Sequence, residues 1–302
     1  MTQIILSTGN VMSAGPTIIR KRGTNRSNLE LVNSLQSSFA SAKEDFAPAT
    51  NGSAHAPTPV EAWTERQGGT LFVPRISWQG AGLRDEASQY EITVKLFFLR
   101  DTLVKEREQF AREALDLVRR ELGIQSIDLL VVAFPGISFE GDCEWEADRI
   151  NAVQGNLDDE VATWKVLEEF HSQGLVKKLG VSEFGSEKLR AFMERTTVRP
   201  TVDQINLHNC CNVPPPLKAL AEKYGIQLNV HTDSTDILPC GTLREILGPQ
   251  GAGVLASSPT GSDGLRGEII PHWVVRYMAF VQDRGVIENK GYFASSGWDE
   301  KP

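Results

Sequence analysis

From residue 91 onward, short apolar runs alternate with stretches whose apolar residues recur every three to four positions. The runs at 92–99, 127–134, 176–184, 202–207 and 226–231 read as strands of a sheet buried on both faces. Between them, Phe110, Ala114, Leu117, Val118 and Leu122 mark one helical face over 105–122. Val161, Trp164, Leu167 and Phe170 mark another over 158–173, and Gly174 suits its C-terminal cap. Ser186 caps a helix carrying Leu189, Phe192 and Met193, and a further one with Leu217, Leu220, Ala221 and Tyr224 ends near Gly225.

Before residue 91 the pattern is looser. Ile4-Ile5-Leu6 predicts a short strand, Ser27 an N-cap for a helix over 28–42, and 70–77 another strand. Residues 43–62 and 248–271, rich in small residues and proline, predict two flexible loop inserts. Trp273-Val274-Val275-Arg276-Tyr277 predicts the start of a last helix, and Gly285-Val286-Ile287 the start of a last strand. Strands alternating with amphipathic helices make a parallel sheet covered by helices. No Gly-x-Gly-x-x-Gly follows the first strand, which disfavours an open dinucleotide-binding sheet. The expectation is an α/β fold, a (β/α)8 TIM barrel, with residues 1–302 as a single domain.

A formal charge of −8 argues against nucleic-acid and anionic-membrane partners, since both demand a basic surface. No apolar run approaches a membrane span, and residues 1–12 lack the basic start of a signal peptide. Cys143, Cys210, Cys211 and Cys240 follow no disulfide framework, which suits a reducing compartment. The expectation is a soluble, cytoplasmic protein.

A barrel places its chemistry at the C-terminal ends of the strands, here Lys95, Ala133, Ser182, Gln204 and, just beyond, His208. Lys95 is one charge in an apolar strand. It is either functional or a barrel-mouth lysine paired with a carboxylate. Adjacent Cys210 and Cys211, before a proline run, read either as an exposed redox pair or as ordinary half-buried thiols. A zinc site from His208, Cys210 and Cys211 lacks the usual Cys-x2-Cys spacing, so no metal is expected. His171 and His231 read as structural.

The order of these segments over residues 88–293 resembles the aldo-keto reductases. The matching stretches are Val94-Lys95-Leu96, Asp128-Leu129 through Ala133-Phe134-Pro135, Gly180-Val181-Ser182-Glu183-Phe184, and Asp203-Gln204-Ile205-Asn206-Leu207-His208. The resemblance implies a reductase-type barrel with Lys95 at the catalytic lysine position and Ala133 where the histidine stands. Glu183 falls where an asparagine holds the nicotinamide amide, while Ser182 and Gln204 keep their cofactor positions. A methyl group neither orients a carbonyl nor moves a proton. Residues 58–72, where the family carries its tyrosine, contain none, and Tyr90 lies only five positions before Lys95. The family's Lys-Ser phosphate motif is missing at 286–290, and the C-terminal end is shortened. The resemblance therefore implies no catalytic residues and no cofactor, with Ser182 and Gln204 as the basis for any weak NADP(H) binding.

Three further stretches sharpen this. They are Ser7-Thr8-Gly9-Asn10-Val11, Cys210-Cys211-Asn212-Val213-Pro214-Pro215, and Lys290-Gly291-Tyr292. Together with Ala133 they resemble the regulatory (modifier) subunits of glutamate–cysteine ligase, a divergent reductase-like branch. That resemblance implies a noncatalytic partner of the ligase catalytic subunit in a heterodimer, with Cys210 and Cys211 as partner or redox candidates. Its implied effect is to raise glutamate affinity and relieve feedback inhibition by glutathione. The competing reading is an NADPH-dependent aldo-keto reductase whose proton donor has moved, to Tyr90 or His208.

Overall fold

The computed structural model describes residues 2–13, 27–47, 58–207, 212–231, 233–234, 236–257 and 264–299. Ten described strands form one sheet: β1 (Thr2–Ser7), β2 (Glu65–Gln67), β3 (Thr70–Val73), β4 (Tyr90–Phe98), β5 (Ile127–Ala133), β6 (Val176–Ser182), β7 (Val202–Asn206), β8 (Gln227–His231), β9 (Glu268–Val281) and β10 (Val286–Asp299). The helices are α1 (Ser27–Asp45), α2 (Val60–Trp63), α3 (Arg107–Leu122), α4 (Glu144–Asn151), α5 (Leu157–Ser172), α6 (Ser186–Met193), α7 (Pro215–Tyr224) and α8 (Thr242–Leu247). The sheet order is β2-β3-β1-β10-β9-β4-β5-β6-β7-β8.

Its two halves are built differently. Strands β4 to β8 run parallel in chain order, the expected βα array. Alternate residues of β4 and β5, namely Val94, Leu96, Phe98, Leu130 and Val132, face outward into the main core. There they meet the apolar faces of α3 and α5 read from the sequence. Asn156 starts α5 by accepting from the backbone N–H groups of Asp158 and Asp159, and Gly123, at φ 64°, closes α3. In the other half, β9 and β10 form a long antiparallel hairpin inserted between β4 and β1.

This hairpin corrects the last helix expected from Trp273. Trp273, Val275, Tyr277, Ala279 and Val281 are buried in the main core while Val274 joins the opposite cluster, a period of two that belongs to a strand. The near-continuous apolar run hid that alternation. Two elements also begin inside the expected loop inserts: α2 at Val60, within 43–62, and β9 at Glu268, within 248–271. Trp63 of α2 is fully buried against Phe39 of α1, so a single large side chain anchors a stretch whose composition reads as loop. Helix α4 sits in the loop after β5 and α8 in the loop after β8, and neither is apparent in the periodicity.

The concave face positions the candidate site. Four strand steps separate β4 from β8, about 19 Å in a flat sheet. Yet Lys95 of β4 lies 2.9 Å from Asp233, two residues past the end of β8, so the sheet curls until its parallel array faces itself. No described helix is long and apolar enough to cross a membrane.

Candidate functional site

Lys95, Arg276 and Tyr292 stand in register across β4, β9 and β10, on the inward side of the sheet. Lys95 is only 2% exposed. Its ammonium donates to Asp233 Oδ2 at 2.9 Å, and Arg276 grips both oxygens of the same carboxylate, donating to Oδ2 at 3.1 Å and more closely to Oδ1. Asn206 at the end of β7 fixes the backbone there, donating to the Asp233 carbonyl at 2.9 Å. Burial would raise the Asp233 carboxyl, but Lys95, Arg276 and His231 together hold it far below the usual carboxylate range. Burial lowers the Lys95 ammonium, with Asp233 opposing and Arg276 reinforcing that shift.

Tyr292 completes the row. Its hydroxyl donates to Glu30 of α1 at 2.8 Å, and Lys290 pairs with the same carboxylate oxygen at 2.5 Å. Burial and Glu30 push the phenol upward against the lowering effect of Arg276, so this tyrosine keeps its proton. It is the opposite of an activated general acid.

The candidate residues at the strand ends form a second cluster. Glu183 has a φ of 65°, and among the described residues it is the non-glycine with positive φ. Its carboxylate accepts from the backbone N–H of Phe139 at 2.8 Å and meets His231 Nε2 at 2.6 Å. His231 also lies 3.5 Å from Asp233, so it links the two clusters and is more than the packing residue its sequence context suggests. The Ser182 hydroxyl donates to the Gln204 carbonyl at 3.3 Å, and the side-chain oxygen of Gln204 is buried without a partner. Ala133 and Phe97 pair across β5 and β4. Both pack in the apolar cluster with Leu31 and Leu35 of α1 and with Ile237 and Leu238. The chain's own segments thus fill the concavity in front of the lost histidine position.

The structure brings Lys95, Ser182, Glu183 and Gln204 to one end of the curled sheet and leaves Tyr90 out of it. Tyr90 begins β4 on the outward face, in the main core, and its hydroxyl donates to Glu288 at 2.9 Å. It therefore cannot serve as a relocated proton donor to Lys95. His208, Cys210 and Cys211 lie outside the described residues, and Cys143 and Cys240 are exposed free thiols. Sequence reasoning missed Asp233, Arg276, Tyr292 and Glu30. Arg276 carried a readable mark, a lone charge in an apolar run like Lys95, concealed by reading that run as a helix.

The curled α/β sheet, parallel over β4–β8, thus carries a buried lysine on its concave face. The aldo/keto reductase family model matches residues 77–232, and the chain belongs to that family. It is 29% identical over 228 residues to a putative glutamate–cysteine ligase regulatory subunit of Schizosaccharomyces pombe, spanning 72% of this chain and 75% of that one. To the glutamate–cysteine ligase regulatory subunit of Homo sapiens it is 27% identical over 208 residues, spanning 69% of this chain and 66% of that one. Among solved structures, the aldose reductase of Schistosoma japonicum is 25% identical over 46% of this chain and 44% of that one, with a TM-score of 0.33.

Proposed function

We propose that this chain is a noncatalytic regulatory subunit of glutamate–cysteine ligase, acting in the cytoplasm. It binds the ligase's catalytic subunit as a heterodimer, raises that subunit's affinity for glutamate and relieves its inhibition by glutathione. One observation carries the noncatalytic part. Ala133 stands at the position of the carbonyl-orienting histidine, and with Phe97 it packs into the apolar cluster by which α1 and the 237–255 segment fill the concavity. The nearby Tyr292 is committed to Glu30, and Ala133 offers no proton. The two named regulatory subunits support the choice of partner. Regulation of this kind needs only that the subunit bind one conformation of its partner better than another.

The proposal extends to the cofactor: the chain works without NADP(H). A nicotinamide does not fit the residues present, because the position that would hold its amide is the carboxylate of Glu183, already paired with His231 and Phe139. Cys210 and Cys211 remain the thiols through which a redox-sensitive contact with the partner would form.

Co-purification with the ligase catalytic subunit, followed by glutamate and glutathione titrations, tests the reading. A stable complex with a lowered KM for glutamate and a raised inhibition constant for glutathione is expected. NADPH fluorescence titration and an aldehyde panel address the competing reductase reading; Lys95-dependent turnover would overturn the noncatalytic assignment.

A further inference from the structure

The loop after Ala133 leaves the C-terminal end of a barrel strand, the end at which barrels build their sites, and it carries a helix of its own. On α4, Trp145 is 56% exposed, an uncommon state for an indole on a well-packed helix. Residues 140–149 contain five carboxylates and one cation, Arg149. Of the carboxylates, Asp148 is buried, while Glu140, Asp142, Glu144 and Glu146 are exposed or partly exposed within five residues of Trp145.

The platform beneath Trp145 is rigid. Asn151 is fully buried, donating to the carbonyls of Ser138 at 2.8 Å and Glu183 at 2.6 Å while accepting from Gly185 N–H at 2.6 Å. Asp148 accepts from both the backbone and the hydroxyl of Ser186, at 2.6 and 2.5 Å. A Cβ at Gly185 would stand 2.4 Å from an Asp148 oxygen, so the turn after β6 and α4 fit only with glycine there. Glu183 ties in the other end of the loop through Phe139 N–H. The residue at the old nicotinamide position thus organises a surface loop.

We infer that Trp145 and the surface carboxylates that flank it in sequence form a contact surface for a basic segment of the ligase catalytic subunit, with an Arg or Lys of that subunit over the indole. This rests on the regulatory reading above. Charge complementarity selects the occupant: a locally acidic surface attracts a cation, and an exposed indole offers it a ring face. Preorganisation helps as well, since a fixed platform loses little freedom on binding. A Trp at the centre of an interface is the side chain whose truncation costs most.

The full chain is titrated against the ligase catalytic subunit at two salt concentrations, using wild type, Trp145→Ala, Glu144→Lys and Phe280→Ser. Phe280 is also exposed but lies on the β9–β10 hairpin. Trp145→Ala should weaken binding roughly tenfold or more without changing the melting temperature. Glu144→Lys should weaken it and flatten its salt dependence, while Phe280→Ser should bind like wild type. Wild-type affinity in Trp145→Ala overturns the surface and leaves the regulatory reading standing. No binding by the wild-type chain overturns both. Weakening by Phe280→Ser alone moves the interface to the hairpin and overturns the assignment to α4.

Discussion

Among the described residues two lysines are almost fully buried, and they have different meanings. Lys188 of α6 is 4% exposed and donates to both oxygens of Glu160 on α5, at 3.1 and 3.0 Å. Lys95 is 2% exposed and shares one carboxylate with Arg276. The first pair bolts two helices together in the outer layer; the second lies on the concave face among the strand ends. Burial raises the Glu160 carboxyl and Lys188 does not fully offset it. At Asp233 two cations and a histidine overcome burial altogether. A buried, paired lysine is therefore no mark of chemistry. Convergence of several groups on the concave side separates the two, and that convergence has here become structural.

Asp233→Ala tests this most severely, because it orphans Lys95 and Arg276 together. We expect a loss near the upper end of about 3–5 kcal/mol, read from urea unfolding. Lys95→Met should cost less, since Arg276 still neutralises Asp233. If Lys95→Met proves the more damaging change, Asp233 is not the hub. The sign of the pH dependence follows from the depressed carboxyl. Its contribution is present above the ordinary carboxylate value of about 4 and is lost as pH falls from there toward the folded-state value. The acid loss in wild type should therefore be shallower in Asp233→Ala.

The outer pair should be the easier one to replace. Lys188→Met leaves Glu160 buried without its cation and should cost about 3 kcal/mol, the lower end for a broken buried pair. Adding Glu160→Gln should restore most of that, because glutamine keeps an acceptor for the Asn156 N–H that Glu160 now receives at 3.0 Å. The inner network, with two cations and a histidine on one carboxylate, should resist any such two-site repair. Equal recovery in both networks would erase the distinction between them.

The sequence makes one member of the inner network readable and hides the rest of both for physical reasons. Lys95 stands out because a strand buried on both faces leaves a charge nowhere to go. Lys188 does not, since a lysine on an amphipathic helix looks solvated until its neighbour across the helix interface is known. Asp233 follows β8 in a stretch without periodicity, and only the curl of the sheet brings it to Lys95. The parallel array β4–β8 was legible from alternating periods. The β9–β10 hairpin was not, because its continuous apolar run fits strand and helix alike until the register with β4 decides.

Asp203 is the remaining buried carboxyl of the region and the control that has no cation bound to it. It is fully buried on β7, accepts from Phe184 N–H at a long 3.4 Å, and its second oxygen has no partner. Burial pushes this carboxyl well above the usual range; the Phe184 N–H opposes the shift and nearby Glu183 adds to it. Folded Asp203 therefore keeps its proton above pH 4 while the unfolded chain releases it, so its contribution is present in acid and is lost as pH rises. Asp203→Asn removes that dependence. Its stability should lie within about 1 kcal/mol of wild type near pH 4 and move to the more stable side of wild type as pH rises toward 8. The difference between the two unfolding curves across that range is the measurement. A constant difference would mean that Asp203 ionises in the folded chain, which requires a cation within reach, and Lys95 would then serve two carboxylates instead of one.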